Sequence, residues 1–118
     1  MKVHRVVEGI DCGYVVNPDN IAAQLQGSVA FALTAAARGE ITIKDGRVEQ
    51  SNFHDYPMLL MHEMPKVEVV LAPNGGFWGG VGEPGQAPIL PALCNAIYAA
   101  GGKRIRSLPL RNHGITLV

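Results

Sequence analysis

The chain has 118 residues, with ten basic and ten acidic side chains and a formal net charge of zero. This length suits one domain with a modest core. The balanced charge provides no overall field that would attract nucleic acid or an anionic membrane. The most apolar window, Ile21–Ala37, contains too many polar residues for a membrane span. Cys12 and Cys94 are too few for a disulfide framework or a zinc cluster. We therefore expect a water-soluble chain without nucleic-acid or membrane partners.

The first part of the chain predicts a strand followed by a long helix. β-Branched residues indicate the strand over Lys2–Ile10. Asn17 is a suitable N-cap and Pro18 a suitable first residue for the helix that follows. We expect this helix to run to about Arg38 and to stop at Gly39, because glycine readily takes the conformation that ends helices.

Four further elements are predicted from turn residues and apolar periodicity. In chain order they are a hairpin of Glu40–Lys44 and Arg47–Ser51 around Asp45-Gly46, a strand at Lys66–Leu71, a helix at Gln86–Ala100 and a short strand at Ile105–Leu110. This order predicts a single α+β domain over residues 1–118, a two-layer unit with a mixed sheet and two alanine-rich helices. Both helices are apolar nearly all round, so we expect surface from another chain, or from further parts of a longer one, to cover them.

The segment Gly79–Gly85, with the sequence GGVGEPG, is the most informative stretch of the chain. It places Glu83 among glycines and directly before a proline, which constrains the backbone around it. Gly80 and Gly82 permit positive φ angles and the close approach of a ligand. Such a carboxylate suits a general base or a ligand contact, although glycine–proline clusters also form ordinary exposed turns. A dinucleotide-binding interpretation of the same letters fails, because no acidic residue follows Glu83 to hold a ribose.

Three other features carry weaker signals. His54 and Asp55 suggest a metal or proton-relay site, but neighbours on an extended chain face opposite sides and no third ligand has suitable spacing. Gln24 is an amide that we expect to face the interior, where it needs hydrogen-bond partners from the protein or from a polar ligand. Four basic residues near the end of the chain suit a phosphate, a partner subunit or a solvated surface: Lys103, Arg104, Arg106 and Arg111.

Three runs of sequence together resemble a known family. They are IDCGYVVNPDNIAAQLQGSVAFAL, GEITIKDGRVEQSNFHDYPML and GVGEPGQAPILPALCNAIYAAGGKRIRSLPL. In order and spacing they resemble the C-terminal portion of the molybdenum-binding subunits of the xanthine oxidase family. Within that family the likeness is to the branch of the isoquinoline 1-oxidoreductase beta subunit and related bacterial aldehyde dehydrogenases. It extends from about Val3 to Leu110, over nearly the whole chain.

The resemblance implies an oxidoreductase activity. Members of the family use a molybdenum–pterin cofactor, in bacteria usually the cytosine dinucleotide form, to hydroxylate an aldehyde or an N-heterocycle with oxygen from water. The glutamate of their GVGEP motif falls on Glu83 and is the general base that acts on the Mo-bound hydroxide. The first glutamine of their Q-x-x-G helix motif falls on Gln24, and backbone groups that match Val81 and Gly82 line the cofactor. Electrons leave through [2Fe–2S] clusters on a separate small subunit.

The chain is several times shorter than these relatives. We therefore expect it to be one segment of a molybdenum cofactor-binding domain, which binds the cofactor only together with the remainder of the subunit and is inactive alone. The contrasting hypothesis is a non-catalytic domain or truncated remnant, without cofactor, that forms a homo-oligomer through its uncovered helix faces. Both the cytoplasm and the periplasm of a bacterium are compatible with these residues.

Overall fold

The computed structural model describes all 118 residues and shows an α+β arrangement of small sheets and two helices. Six elements follow one another in the chain: β1 (Arg5–Ile10), α1 (Pro18–Ala37), β2 (Ile43–Lys44), β3 (Arg47–Val48), β4 (Lys66–Leu71) and α2 (Gln86–Ala99). Two short 3₁₀ helices, at Met61–Glu63 and Leu110–His113, complete the secondary structure. The predicted helices and the predicted strand at Lys66–Leu71 are confirmed to within one residue at each end.

The strands form two separate two-stranded sheets, so the expectation of one mixed sheet is wrong. β1 and β4 pair in parallel, in a register that runs from Arg5 opposite Lys66 to Ile10 opposite Leu71. β2 and β3 pair only with each other, antiparallel, around the Asp45-Gly46 turn. All four residues of this hairpin are exposed. Its apolar cross-strand pair, Ile43 and Val48, is therefore open to solvent and does not pack on the other sheet.

The predicted last strand at Ile105–Leu110 is also wrong. Ile105 and Leu110 are buried in the main core, as their apolar character suggested. Their segment, however, forms no ladder with β1 or β4, and a 3₁₀ helix begins at Leu110. Pro109 lacks the N–H that a strand ladder needs, so the segment fills the core as irregular chain.

The core lies between α1, α2 and the parallel strands β1 and β4, and each helix contributes one face to it. α1 buries residues at helical spacing, among them Leu25, Val29 and Leu33, and α2 buries Ile89, Leu93 and Ile97. The remaining faces are open to solvent, and they are largely apolar. On α2 the exposed residues are Ala87, Pro88, Pro91, Ala92, Asn95, Ala96, Tyr98 and Ala99. Neither helix combines the length and the apolarity that a bilayer span requires.

Side-chain hydrogen bonds attach the irregular segment after the hairpin to the C-terminal end of α1. Thr34 Oγ1 accepts the N–H of Leu59 at 3.0 Å. Arg38 forms an ion pair with Glu63, which is 7% exposed, and Glu63 Oε2 accepts the N–H of Leu60 at 2.7 Å. Burial alone would raise the pKa of the Glu63 carboxyl, but the Leu60 N–H and Arg38 outweigh burial and lower this pKa.

Glu63→Gln is expected to lower the free energy of unfolding by about 2 kcal/mol at pH 7, because Arg38 loses its charged partner in a buried setting. The folded-state pKa of Glu63 lies below the unfolded value, so its contribution is present above that unfolded value. It is lost as the pH falls through the folded-state pKa. Urea denaturation of the wild-type and Glu63→Gln proteins at pH 7 and pH 3 measures the difference between their free energies of unfolding. Glu49→Gln, in the exposed hairpin, is the control, and an unchanged difference at the two pH values would contradict the assignment.

The loop after β1 and the glycine-rich loop after β4 are joined by backbone hydrogen bonds. The N–H of Gly75 donates to the carbonyl of Gly13 at 2.9 Å, and the N–H of Gly79 donates to that of Cys12 at 3.0 Å. Asp11 Oδ1 accepts the N–H of Gly13 at 2.9 Å and fixes the turn between them. The two loops therefore form one surface at the carboxyl ends of the parallel strands.

Aromatic stacking supports the same contact. The rings of Tyr14 and Trp78 stack with centroids 5.1 Å apart, an arrangement that contributes about 1 kcal/mol beyond the area buried. Gly13, the residue before Tyr14, has a φ of +80°, and a Cβ added there would overlap the carbonyl group of Phe77. Only glycine satisfies both requirements at this position.

Gly13→Ala is therefore expected to destabilise the protein by at least about 2 kcal/mol, through the left-handed backbone and the overlap with Phe77. Gly27→Ala is the matched control. Gly27 lies in the middle of α1, and a Cβ there meets nothing within 4 Å, so alanine should stabilise the helix by about 0.5–1 kcal/mol. Thermal unfolding measures both. Equal effects of the two substitutions would show that the loop contact does not constrain Gly13.

Candidate functional site

The candidate site is the turn that carries Glu83, between the joined loops and the first residue of α2. The carbonyl of Glu83 accepts the N–H of Gln86 at 3.0 Å, and this hydrogen bond closes the turn that opens the helix. Gly85, in the middle of the turn, is buried, whereas Glu83 and Pro84 are exposed. The Glu83 side chain therefore projects from a turn whose base is fixed.

The glycines beside Glu83 leave the surface open. A Cβ added to Gly80 or to Gly82 would meet nothing within 4 Å. Neither residue uses the positive φ angles that glycine permits. Their lack of a side chain leaves the backbone on either side of Val81 uncovered.

Val81 anchors the turn. It is half-buried and packs against the smaller of the two core clusters, which contains Cys12, Ile21 and Leu25. Leu25 is fully buried and also lies close to Gly85, 2.9 Å from the position of an added Cβ. Val81 and Gly85, on the two sides of Glu83, thus both lie against the core cluster that includes Leu25.

Gln24 does not face the interior, so that expectation is wrong. It precedes Leu25 on α1, but its side chain is exposed. Successive helical residues are rotated by about 100°, so Gln24 lies beside the packed face that Leu25 and Val29 define, and not within it. Its amide makes no hydrogen bond within the chain and is free to meet another group.

The His54 and Asp55 pair forms a local turn. Asp55 accepts the N–H groups of Asn52 at 2.9 Å and Ser51 at 2.8 Å, and these bonds lower the pKa of its carboxyl to about 2. The His54 ring lies 3.5 Å away and is mostly exposed. The structure contains no group of three or more His, Cys, Asp or Glu side chains arranged to hold a metal ion.

Two of the basic residues near the end of the chain have partners within it. Arg104 lies 3.6 Å from the centroid of the Tyr98 ring and donates to Asn95. Arg111 donates to Glu40 at 2.8 Å. These contacts place both side chains on the surface of this domain and away from the Glu83 turn.

Sequence reasoning missed Glu8, a buried carboxylate below the turn. It is 6% exposed in the centre of β1, and neither of its oxygens has a hydrogen-bond partner. Burial raises the pKa of its carboxyl. The hydroxyl of Ser28, on the facing side of α1, is buried and without a partner as well. The sequence does contain a signal for it, because Glu8 alternates along the strand with Val6 and Ile10 and therefore faces inward with these apolar residues.

Comparisons with known proteins find a family model and relatives that match this chain. The family model described as a molybdopterin cofactor-binding domain matches residues 1–65. The beta subunit of isoquinoline 1-oxidoreductase from Brevundimonas diminuta is 38% identical over 111 residues, which cover 94% of this chain and 14% of that protein. A nicotinate dehydrogenase subunit from Pseudomonas putida is 32% identical over 111 residues, which cover 93% of this chain and 9% of that protein.

A solved structure shares the fold. The reconstituted CO dehydrogenase from Oligotropha carboxidovorans superposes with a TM-score of 0.75 and 28% sequence identity, over 92% of this chain and 15% of that one. The chain thus spans only 9–15% of the length of these three proteins. Because the family model covers more than half of its residues, the chain belongs to the molybdopterin cofactor-binding domain family, and its relatives are molybdenum-binding subunits of the xanthine oxidase family.

Proposed function

We propose that this chain forms one wall of a molybdenum–pterin site and supplies its general base, Glu83. The observation that carries the proposal is the turn itself, which presents an exposed carboxylate on a base fixed by Val81 and Gly85. A general base must be held within hydrogen-bond reach of the proton it removes. A side chain on an anchored turn with open glycines on one side meets that requirement.

The residues present fit a pterin-borne metal. Two open glycines, Gly80 and Gly82, allow ligand oxygens to reach backbone N–H groups without meeting a Cβ. Gln24 offers an amide with no hydrogen-bond partner inside the chain. It directly precedes Leu25, which belongs to the core cluster that Val81 of the turn contacts. A large planar ligand with many polar atoms, which carries its own metal, needs such groups and no cluster of metal-binding side chains.

When bound, the cofactor would supply the two-electron oxidation and the place where water is activated. Glu83 would accept the proton of the water-derived nucleophile on its carboxylate and hold it while the carbon–oxygen bond forms. Gln24 would donate its amide N–H to the cofactor, and the backbone at Val81 and Gly82 would line it. Closure of the site against water would strengthen these interactions, because charges act over longer range in a low-dielectric setting.

The reaction we propose is hydroxylation of an aldehyde or an N-heterocycle. The relatives of this chain include subunits of isoquinoline 1-oxidoreductase and nicotinate dehydrogenase, whose names denote N-heterocyclic substrates. They also include a subunit of an aldehyde oxidoreductase. We further propose that the remainder of a molybdenum subunit covers the open face of Glu83 and Gln24, and that a [2Fe–2S] small subunit receives the electrons. The cytosine dinucleotide form of the cofactor belongs to the same proposal. In this account the isolated chain, with one wall of the site, is inactive.

Glu83→Gln in the assembled, cofactor-loaded enzyme is expected to lower kcat by a factor of about 10² to 10⁴, the usual contribution of a general base. Molybdenum content should stay unchanged, because Gln keeps the size of the side chain. Steady-state kinetics with elemental analysis of the same samples measures both. Glu40→Gln is the control, since Glu40 pairs with Arg111 on the surface beyond the far end of α1. Near-normal turnover of Glu83→Gln would remove Glu83 from the mechanism.

A second candidate function is self-association without cofactor. It is favoured by the uncovered apolar face of α2 and by exposed aromatic residues such as Phe31 and Phe77, which are 57% and 92% exposed. It predicts that the purified chain forms an oligomer, which multi-angle light scattering detects. Ala92→Glu, on the exposed face of α2, should then return it to a monomer. A wild-type chain that is monomeric at high concentration would contradict this alternative.

A further inference from the structure

Glu8 occupies a position where an apolar residue would be more stable. It is the fourth residue of β1, opposite Val69 of β4, and its side chain points into the core between Val6 and Ile10. Only 6% of it is exposed, and both carboxylate oxygens lack partners. A buried polar group without hydrogen bonds costs about 1–3 kcal/mol. A cost of this kind, at a position flanked by apolar side chains, indicates a role other than stability.

Glu8 lies directly under the turn that carries Glu83. A Cβ added to Gly85 would overlap Glu8 Oε1 and would lie 3.0 Å from Ser28 Cβ. The absence of a side chain at Gly85 thus lets the turn rest on the Glu8 carboxyl. Pro84, with its fixed φ, is the only residue between Gly85 and Glu83. A displacement of Gly85 is therefore passed on to Glu83.

The contact between Glu8 and Gly85 also brings a carboxyl group towards the N-terminus of α2. α2 begins after Gly85 with no side-chain cap and with no acidic residue in its first turn. Helix N-termini carry unpaired N–H groups and a partial positive charge, which favour a nearby carboxylate. Glu8 approaches this end of α2 from β1 through its contact with Gly85. A cavity of about 70 Å³ between them, lined by Glu8, Pro84 and Gly85 among others, gives the side chain room to change rotamer.

Few other charged groups face Glu8. From β1, Arg5 borders the larger cavity beside it, but Arg5 is paired with Glu68 of β4 at 2.6 Å. From α1 the facing polar group is the Ser28 hydroxyl, and from α2 the first turn contributes no charged side chain. Burial favours the neutral acid and raises the pKa of the Glu8 carboxyl.

We propose that Glu8 is a positioning residue for Glu83, which sets the height of the Glu83 turn over β1 through its contact with Gly85. The inference rests on the proposed function, because it assigns to Glu8 an effect on the placement of the general base. Glu8 itself touches neither substrate nor cofactor. Its removal is expected to alter the rate of the proton-transfer step without altering the binding of substrate.

The kinetic test compares Glu8→Leu and Glu8→Gln in the assembled, cofactor-loaded enzyme. Leu should stabilise the protein yet lower kcat by about tenfold to a hundredfold, the cost of a small misplacement of a catalytic group. KM and molybdenum content should not change. Gln, which keeps the shape and the polarity, should restore kcat to within about threefold. Glu49→Gln, beside the exposed hairpin and away from this sheet, is the control.

A second readout needs no activity. In the 118-residue chain with Glu83→Gln as background, the amide resonance of Gly85 should shift with pH as the Glu8 carboxyl ionises. Adding Glu8→Gln should abolish this shift, and adding Glu49→Gln should leave it. A pH-independent Gly85 resonance, or a Glu8→Leu enzyme with normal kcat, would overturn the inference. If Glu83→Gln itself leaves turnover normal, the proposed function fails, whatever Glu8 does to the Gly85 resonance.

Discussion

Parallel pairing of β1 with β4 is the interaction on which the rest of this structure depends. The chain between the end of β1 at Ile10 and the start of β4 at Lys66 is 55 residues long. Arg5 pairs with Lys66 and forms an ion pair with Glu68 across the sheet. A parallel pair needs a crossover, and α1 supplies it while it covers the sheet. The register also brings the loops that follow both strands to the same edge. The second of those loops leads through the Glu83 turn into α2.

The arrangement also explains why the site is open. Each helix has one packed face, and that face is used within the chain. Gln24 and Glu83 lie outside the packed faces, so both are accessible to a partner or a ligand. The fixed parts of the site are the backbone and its anchors, Val81 and Gly85. A rigid scaffold with exposed functional groups suits a segment that contributes one wall to a larger active site.

Local signals predicted the elements well. Asn17 accepts the N–H of Asn20 as a helix cap should, Pro18 begins α1, and the Asp45-Gly46 turn has the positive φ angles of a tight hairpin. Non-local pairing was harder. Ile105 and Leu110 are apolar enough for a strand, but the sequence does not show that they fill the core between helices instead. Likewise, an alanine-rich helix does not reveal which face packs, so the exposure of Gln24 follows only from the contacts of Leu25 and Val29.

The resemblance of three sequence runs identified the family, and the family match with its relatives confirmed it. The most direct test of the central claim is a cofactor-loaded structure of the protein that contains this chain, in which the position of the Glu83 carboxylate is measured against the metal centre. Our account predicts a Glu83 oxygen within hydrogen-bond reach, roughly 2.6–3.2 Å, of an oxygen on that centre. A Glu83 side chain that points to solvent, away from the bound cofactor, would contradict it.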